Sequence, residues 1–330
     1  MVEDWHCLKP THPPSLLVRG DYMNWLSIFS DPNTQWILMG SMLLGVSSGV
    51  IGSFAYLRKQ ALMGDALSHA ALPGVCIAFM VTGTKSIFFF LIGAIIAGIL
   101  ATVSIGYITR HTRIKQDSAL GIILTVFFGV GIVLLTQIQH SNSGNQSGLD
   151  KFLFGHAASM IQTDVYTIAG ISLILVAVSF LIFKEIKLLS FDPGFAKGVG
   201  LPVVFLDQFI MLLIVTAVVI GIQAVGVVLM AALLITPAVA ARYWTEKLHI
   251  MVILAGVFGA LSGFVGTVVS TMANNLPTGP LIVLSATILF LISVVFAPHR
   301  GLLAKNRIRI SAKVEYEHSF TSKEVKEKSL

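Results

Sequence analysis

Stretches of about 20 mostly apolar residues, the length that carries an α-helix across the hydrocarbon of a bilayer, recur along this chain at 36–57, 61–81, 86–107, 118–137, 166–183, 203–221, 225–242, 250–270 and 279–297. Inside lipid every backbone N–H and C=O must be bonded within the protein, which leaves the helix as the economical way to cross. With 55% apolar and 12% charged residues and a mean hydropathy of +0.85, the chain has too few charges to clothe a soluble domain of its length. The expected fold is therefore an all-α, polytopic membrane helical bundle. It has nine spans, or eight if two closely spaced segments form one broken pair. Residues 36–299 make up the membrane domain, 1–35 an N-terminal extension expected outside the cytoplasm, and 300–330 a cytoplasmic tail expected to be disordered.

Lys and Arg in short loops favour the cytoplasmic side. One set of alternate loops holds Arg58 and Lys59, then Arg110, Arg113 and Lys115, then Lys184, Lys187 and Lys197, then Arg242 and Lys247, and finally the tail from Arg300 through Arg309. The other set holds Lys85 and Lys151 and little else. The first set is assigned to the inside, which places the C-terminus in the cytoplasm and, with nine spans, the N-terminus outside. Topology alone accounts for the net charge of +6, with no need for a nucleic-acid partner. Residues 1–35 lack the sustained apolar core of a cleavable leader.

Two ionisable side chains interrupt the apolar run "ALMGDALSHAALPG" at 61–74. Asp65 and His69 are one helical turn apart and share a face, so a carboxylate oxygen and an imidazole nitrogen converge on one point. Charges at membrane depth are costly and mark ion or substrate paths. On the residues alone two readings stand: a cation site, or an Asp65 near the cytoplasmic interface that merely hydrogen-bonds His69 or a neighbouring helix. Two donors do not complete a metal site. A second copy of the chain, related by a two-fold axis close to this helix, would make four, a set suited to Mn2+, Fe2+ or Zn2+. The small neighbours Ala61 and Ser68 would let that copy approach. Pro73 and Gly74 follow at once, and a proline there breaks the backbone ladder and permits a hinge. Gly45 and Gly49, Ala94 and Gly98, and Gly259 and Gly263 have the spacing of tightly packed spans.

Beyond the spans, Asp192 followed by Pro193 has the form of a helix start, and Gly198 and Gly200 stop that helix after barely two turns. A short, capped helix within a long loop reads either as an interfacial turn or as an element built to dock another protein.

These residues resemble a known family. "LRKQALMGDALSHAALPGVCIAF" (57–79), "FLFGHAASM" (152–160), "LLSFDPGFAKGVGLPV" (188–203), "VGVVLMAALLITPAVAARYWTEKL" (225–248) and "LPTGPLIVL" (276–284) are similar to the permease subunits of manganese, zinc and iron ABC importers, in order over roughly residues 36–300. The resemblance implies a type II importer-like permease in a bacterial cell membrane, with no permanently bound cofactor. It also implies that Asp65 and His69 coordinate the transported divalent metal. Likeness to the manganese branch implies Mn2+, with Zn2+ or Fe2+ as alternatives. Asp192, Pro193, Gly194, Phe195, Ala196, Lys197 and Gly198 become a coupling helix for an ABC ATPase subunit. An extracytoplasmic metal-binding protein is the implied source of the ion, and the need for four donors gives a homodimer as the expected assembly. The ATPase has to be a separate polypeptide, because the chain carries no phosphate-binding "GxxxxGK[ST]"; "GTKS" at 83–86 lacks the glycine before its lysine.

Other residues read more plainly. Cys7 and Cys76 suggest neither a disulfide framework nor a thiolate site. "SNSGNQSG" at 141–148 is an external loop, flanked by His140 and His156, which are weak candidates for receiving a cation. Asp207 and Gln223 suit capping or interhelical hydrogen bonds. Glu246 and His249, near Arg242, belong to a solvated face. The absence of "HExxH" argues against an intramembrane metalloprotease, and the serines of "GVSSG" at 45–49 have no evident catalytic partner. An ion-coupled secondary carrier is the stronger rival, with Asp65 as proton relay and Pro73–Gly74 as a broken binding helix.

Overall fold

The computed structural model describes residues 32–58, 60, 62–83, 87–140, 162–272, 276–298 and 301–304. Eleven helices follow in order among them: α1 (Pro32–Leu57), α2 (Met63–Thr82), α3 (Ile87–His111), α4 (Gln116–His140), α5 (Gln162–Leu181), α6 (Phe183–Phe191), α7 (Pro193–Gly198), α8 (Val203–Val225), α9 (Val227–Trp244), α10 (Leu248–Met272) and α11 (Thr278–Phe296). The described residues contain no strand. The nine apolar segments all appear as helices, with ends shifted by a few residues. Eight are long and apolar enough to cross a membrane unaided. The remaining one, α9, has 18 residues, a rise of about 27 Å at about 1.5 Å per residue. It is separated from α8 only by Gly226, whose φ of 92° is in the region that favours glycine. α8 and α9 are thus one closely spaced pair of the kind that leaves the span count between eight and nine.

Backbone contact holds the centre together. α1 packs against α5, α8, α9 and α10, and its crossing with α10 is a row of small residues. A Cβ on Gly45 would lie 2.1 Å from the Gly259 carbonyl oxygen, one on Gly49 would lie 2.2 Å from that of Ala255, and one on Gly263 would lie 2.5 Å from that of Ser41. Such approach is what small residues give in lipid, where burying apolar side chains supplies no drive for helices to associate. Buried hydroxyls tie the same layers: Ser41 with Thr267 at 2.8 Å and Ser47 with Ser172 at 3.2 Å, while Ser285 donates to the Ser262 carbonyl at 2.7 Å. α2 is set into the bundle between α3, α4, α8 and α9.

The direction of the helices agrees with the charge pattern. An ion pair of 2.5 Å between Arg58 Nη2 and Asp207 Oδ1 joins the end of α1 to the start of α8. At the opposite end, Trp36 packs edge-on against Tyr166, near the starts of α1 and α5. α6 is a helix that the sequence pattern did not indicate; its nine residues occupy what reads as loop between 184 and 192.

Substitution at the α1–α10 crossing should be severely destabilising. Gly45→Val is expected to cost about 3 kcal/mol or more, at the upper end of overpacking penalties because the clash is with backbone. Gly170→Ala, where a Cβ meets nothing within 4 Å, is expected to be neutral or slightly stabilising. Unfolding of the detergent-solubilised protein by SDS titration measures both.

Candidate functional site

Asp65 and His69 lie in the first two turns of α2, in a helix otherwise lined with buried small and apolar residues from Met63 to Cys76. The His69 Nε2 to Asp65 Oδ1 separation is 3.6 Å. That is too long for a hydrogen bond, so the plain pairing of the two side chains is not formed. It is close to the spacing of about 3.4 Å between two donors that each sit about 2.1 Å from one ion at the tetrahedral angle. The Asp65 side chain is 44% exposed and that of His69 is 18% exposed, so both reach the outer surface of this single chain. His69 Nδ1 is buried without a hydrogen-bond partner. The ring is steadied instead by Phe128 of α4, edge-on at 4.9 Å between centroids.

No group of three or more His, Cys, Asp or Glu able to hold a metal occurs among the described residues. One chain therefore offers two donors at this level, as its sequence suggests. Ala61 lies outside the described residues. Ser68 does not face outward: it is fully buried and its Oγ donates to the Gly64 carbonyl at 2.7 Å, so its small size serves packing within the chain. A set of small outward residues is on α4. Gly121, Thr125, Gly129 and Thr136 share one exposed face there. A Cβ on either glycine would meet nothing within 4 Å, and the threonine hydroxyls are satisfied by their own helix.

α2 runs unbroken through Pro73 and Gly74. Pro73 has no N–H to give the His69 carbonyl four residues earlier, which loosens the ladder at the turn carrying the imidazole. Gly74 presses on α3, where an added Cβ would come within 2.2 Å of the Gly93 carbonyl oxygen. Cys76 is buried, its thiol directed to the Gly131 carbonyl at 3.8 Å, in keeping with a packing role.

The short helix α7 forms as the residue types dictate. Asp192 is its N-cap, accepting the Phe195 N–H at 2.8 Å, with Pro193 in the first turn. At the other end Leu201 N–H bonds the Ala196 carbonyl and Gly200 N–H bonds that of Lys197, with Gly200 at φ +91°. This is a Schellman stop, which needs a left-handed residue at that position. α7 rests on α6 and α8, buries Ala196, and leaves Phe195 58% exposed.

The weaker candidates separate. His140 ends α4 in an exposed position, and His156 and Cys7 lie outside the described residues, as does the side chain of Gln223. Asp207 is held by Arg58 across helices. His249 is exposed, and Arg242 Nη1 donates to the Glu246 carbonyl at 2.9 Å. The structure adds Phe128 beside His69 and Gln60 beside Arg58. Phe128 has no signal in the one-dimensional pattern, since it matters through a neighbour on another helix, and Gln60 matters through a cavity that several helices enclose.

The chain as a whole is similar to known proteins. The model of the ABC 3 transport family matches residues 30–297. The chain is 58% identical over 281 residues to the manganese transport system membrane protein MntC of Bacillus subtilis, covering 85% of this chain; it spans 64% of the length of that relative. It is 46% identical over 278 residues to the zinc transport system membrane protein TroC of Treponema pallidum, covering 84% of this chain and 93% of the relative. Among solved structures, a chain of PsaBC from Streptococcus pneumoniae in complex with Fab superposes with a TM-score of 0.75 at 34% identity, over 86% of this chain and 98% of that one.

Loss of the cap should be felt locally. Asp192→Ala is expected to weaken α7 by about 1 kcal/mol, which speeds amide exchange across 193–198 about fivefold. Asp192→Asn, which keeps an acceptor, should leave exchange near the wild-type rate in a hydrogen–deuterium measurement.

Proposed function

Since the chain belongs to the ABC 3 transport family, a family of multi-pass membrane permeases, we propose that it is the membrane-spanning subunit of an ATP-driven importer of divalent transition-metal ions, with Mn2+ as its substrate. The observation that carries this reading is the outward-facing pair Asp65 and His69, one turn apart and 3.6 Å from each other in an apolar helix. A carboxylate and a neutral imidazole suit Mn2+, Zn2+ and Fe2+ alike. Mn2+ is preferred because the 58% identical relative is named for manganese; Zn2+, for which the 46% identical relative is named, is the second reading.

The proposed mechanism follows from what one chain has and lacks. Two donors cannot replace the hydration shell of a divalent cation, so two copies meet about an axis near α2 and α4, and each contributes Asp65 and His69. The open glycine and threonine face of α4, next to Phe128, supports close approach there. Hydrolysis belongs to a separate ATPase subunit that receives α7, with the exposed Phe195 as its apolar knob. Because α7 sits on α6 and α8, movement of the ATPase is passed directly to a spanning helix. The loosened turn at His69 to Pro73 then lets the paired ligands part and release the ion inward. An extracytoplasmic binding protein delivers the cation and does much of the selecting.

Asp65→Asn and His69→Ala should each abolish Mn2+ uptake in reconstituted vesicles while leaving membrane insertion and thermal unfolding unchanged. Uptake at the wild-type rate by either variant would show that the cation does not use these side chains. Uptake in vesicles energised only by a proton gradient, without the ATPase subunit, would favour the secondary carrier.

A further inference from the structure

A second polar site lies apart from Asp65 and His69, where α1 and α3 end and α4 and α8 begin. Arg58, Gln60, Arg110, Gln116, Asp207 and Gln208 line a cavity of about 310 Å³ there. Arg58 gives one amino group to Asp207, but its Nη1 is buried and has no hydrogen-bond partner. Gln60, only 7% exposed, likewise has an unpartnered Oε1. Buried polar atoms are nearly always satisfied, and leaving them bare is costly. The wall carries two arginines against one aspartate, a surplus of one positive charge.

Thr102, Gln208 and Met211 also belong to an adjoining cleft of about 310 Å³ between α3 and α8, whose other walls, Ile99, Val103, Phe205, Leu212 and Val215 among them, are apolar. Val103 and Phe205 are exposed at its edge. From Phe205 to Val215 the cleft follows α8 for ten residues, about 15 Å at 1.5 Å per residue. That is the depth of one leaflet, about half of the roughly 30 Å hydrocarbon core. A charged head compartment thus shares walls with an apolar cleft about one leaflet deep along α8.

We propose that this composite binds one anionic phospholipid of the phosphatidylglycerol type from the cytoplasmic leaflet, its phosphate on Arg58 and Arg110 and one acyl chain along the α3–α8 cleft. A phosphodiester carries the single negative charge that balances the wall, and it accepts from the arginine fork in the geometry arginine favours. Glycerol hydroxyls donate to Gln60 Oε1 and accept from the amides of Gln116 and Gln208. A choline headgroup offers no hydroxyl donor and brings a third cation beside the two arginines. A free phosphate fills the head compartment but leaves the cleft empty.

Native mass spectrometry of the delipidated full chain with added lipid tests this. The wild type is expected to retain one phosphatidylglycerol in preference to phosphatidylcholine of the same chains. Arg110→Gln should weaken that retention about tenfold, the size of one lost charged hydrogen bond, and Val103→Trp, which fills the cleft, should also reduce it. Arg110 and Val103 are both exposed, so neither substitution removes core packing, and matching melting curves confirm this. Equal retention of the two lipids by the wild type overturns the proposal. So does unchanged retention by Arg110→Gln, or displacement of the lipid by soluble glycerophosphoglycerol at the same concentration, which would reduce the feature to a phosphate pocket.

Discussion

In hydrocarbon a helix gains nothing by hiding apolar side chains from lipid, so this bundle has to be held by close backbone packing and by polar groups that find one another. The crossing of α1 and α10 meets that constraint with glycines at 45, 49, 259 and 263 and with the Ser41–Thr267 hydroxyl pair. Much of the bundle is positioned from α1. Its end brings Arg58 to Asp207, its flank carries α5, α8 and α9, and the chain leaving it turns back at once into α2. Asp65 and His69 are thereby placed on a helix set into the bundle and not on a loop.

On the proposed reading, that placement lets one chain be well packed and still carry only half of a site. Among the described residues, the donors at the level of Asp65 stop at two, and beside them α4 presents a face of glycines and self-bonded threonines. A closed core would have buried His69 with a partner for Nδ1; here that nitrogen has none. The short helix α7 is incomplete in the same sense. Its backbone is capped at both ends, yet its largest apolar side chain, Phe195, points to solvent. Both features are intelligible as halves of contacts made with other subunits.

Much of this was legible in the amino-acid sequence because membranes simplify the code. Length and hydropathy marked all nine segments, Asp192–Pro193 and Gly200 marked the limits of α7, and the spacing of Asp65 and His69 put them on one face. What was not legible depended on neighbours across helices. The size of Ser68 pointed to an approaching second chain, but the helix is rotated so that Ser68 packs inward and bonds Gly64. The small outward surface belongs to α4, which no local pattern connects with His69. α6 escaped notice because its four charged or polar residues in nine, Lys184, Glu185, Lys187 and Ser190, resemble a loop. Arg58 read as a topology charge, and its pairing with Asp207, 149 positions away (207 less 58), required the fold.

The central claim is that the cation crosses at an interface to which two chains each bring an aspartate and a histidine. The most direct measurement joins two copies by a linker into one polypeptide, places Asp65→Asn in one half only, and follows Mn2+ uptake with the ATPase subunit present. A shared site requires the half-substituted pair to be as inactive as the pair substituted in both halves. Retention of about half the wild-type rate, the result of a separate pathway through each chain, would contradict it.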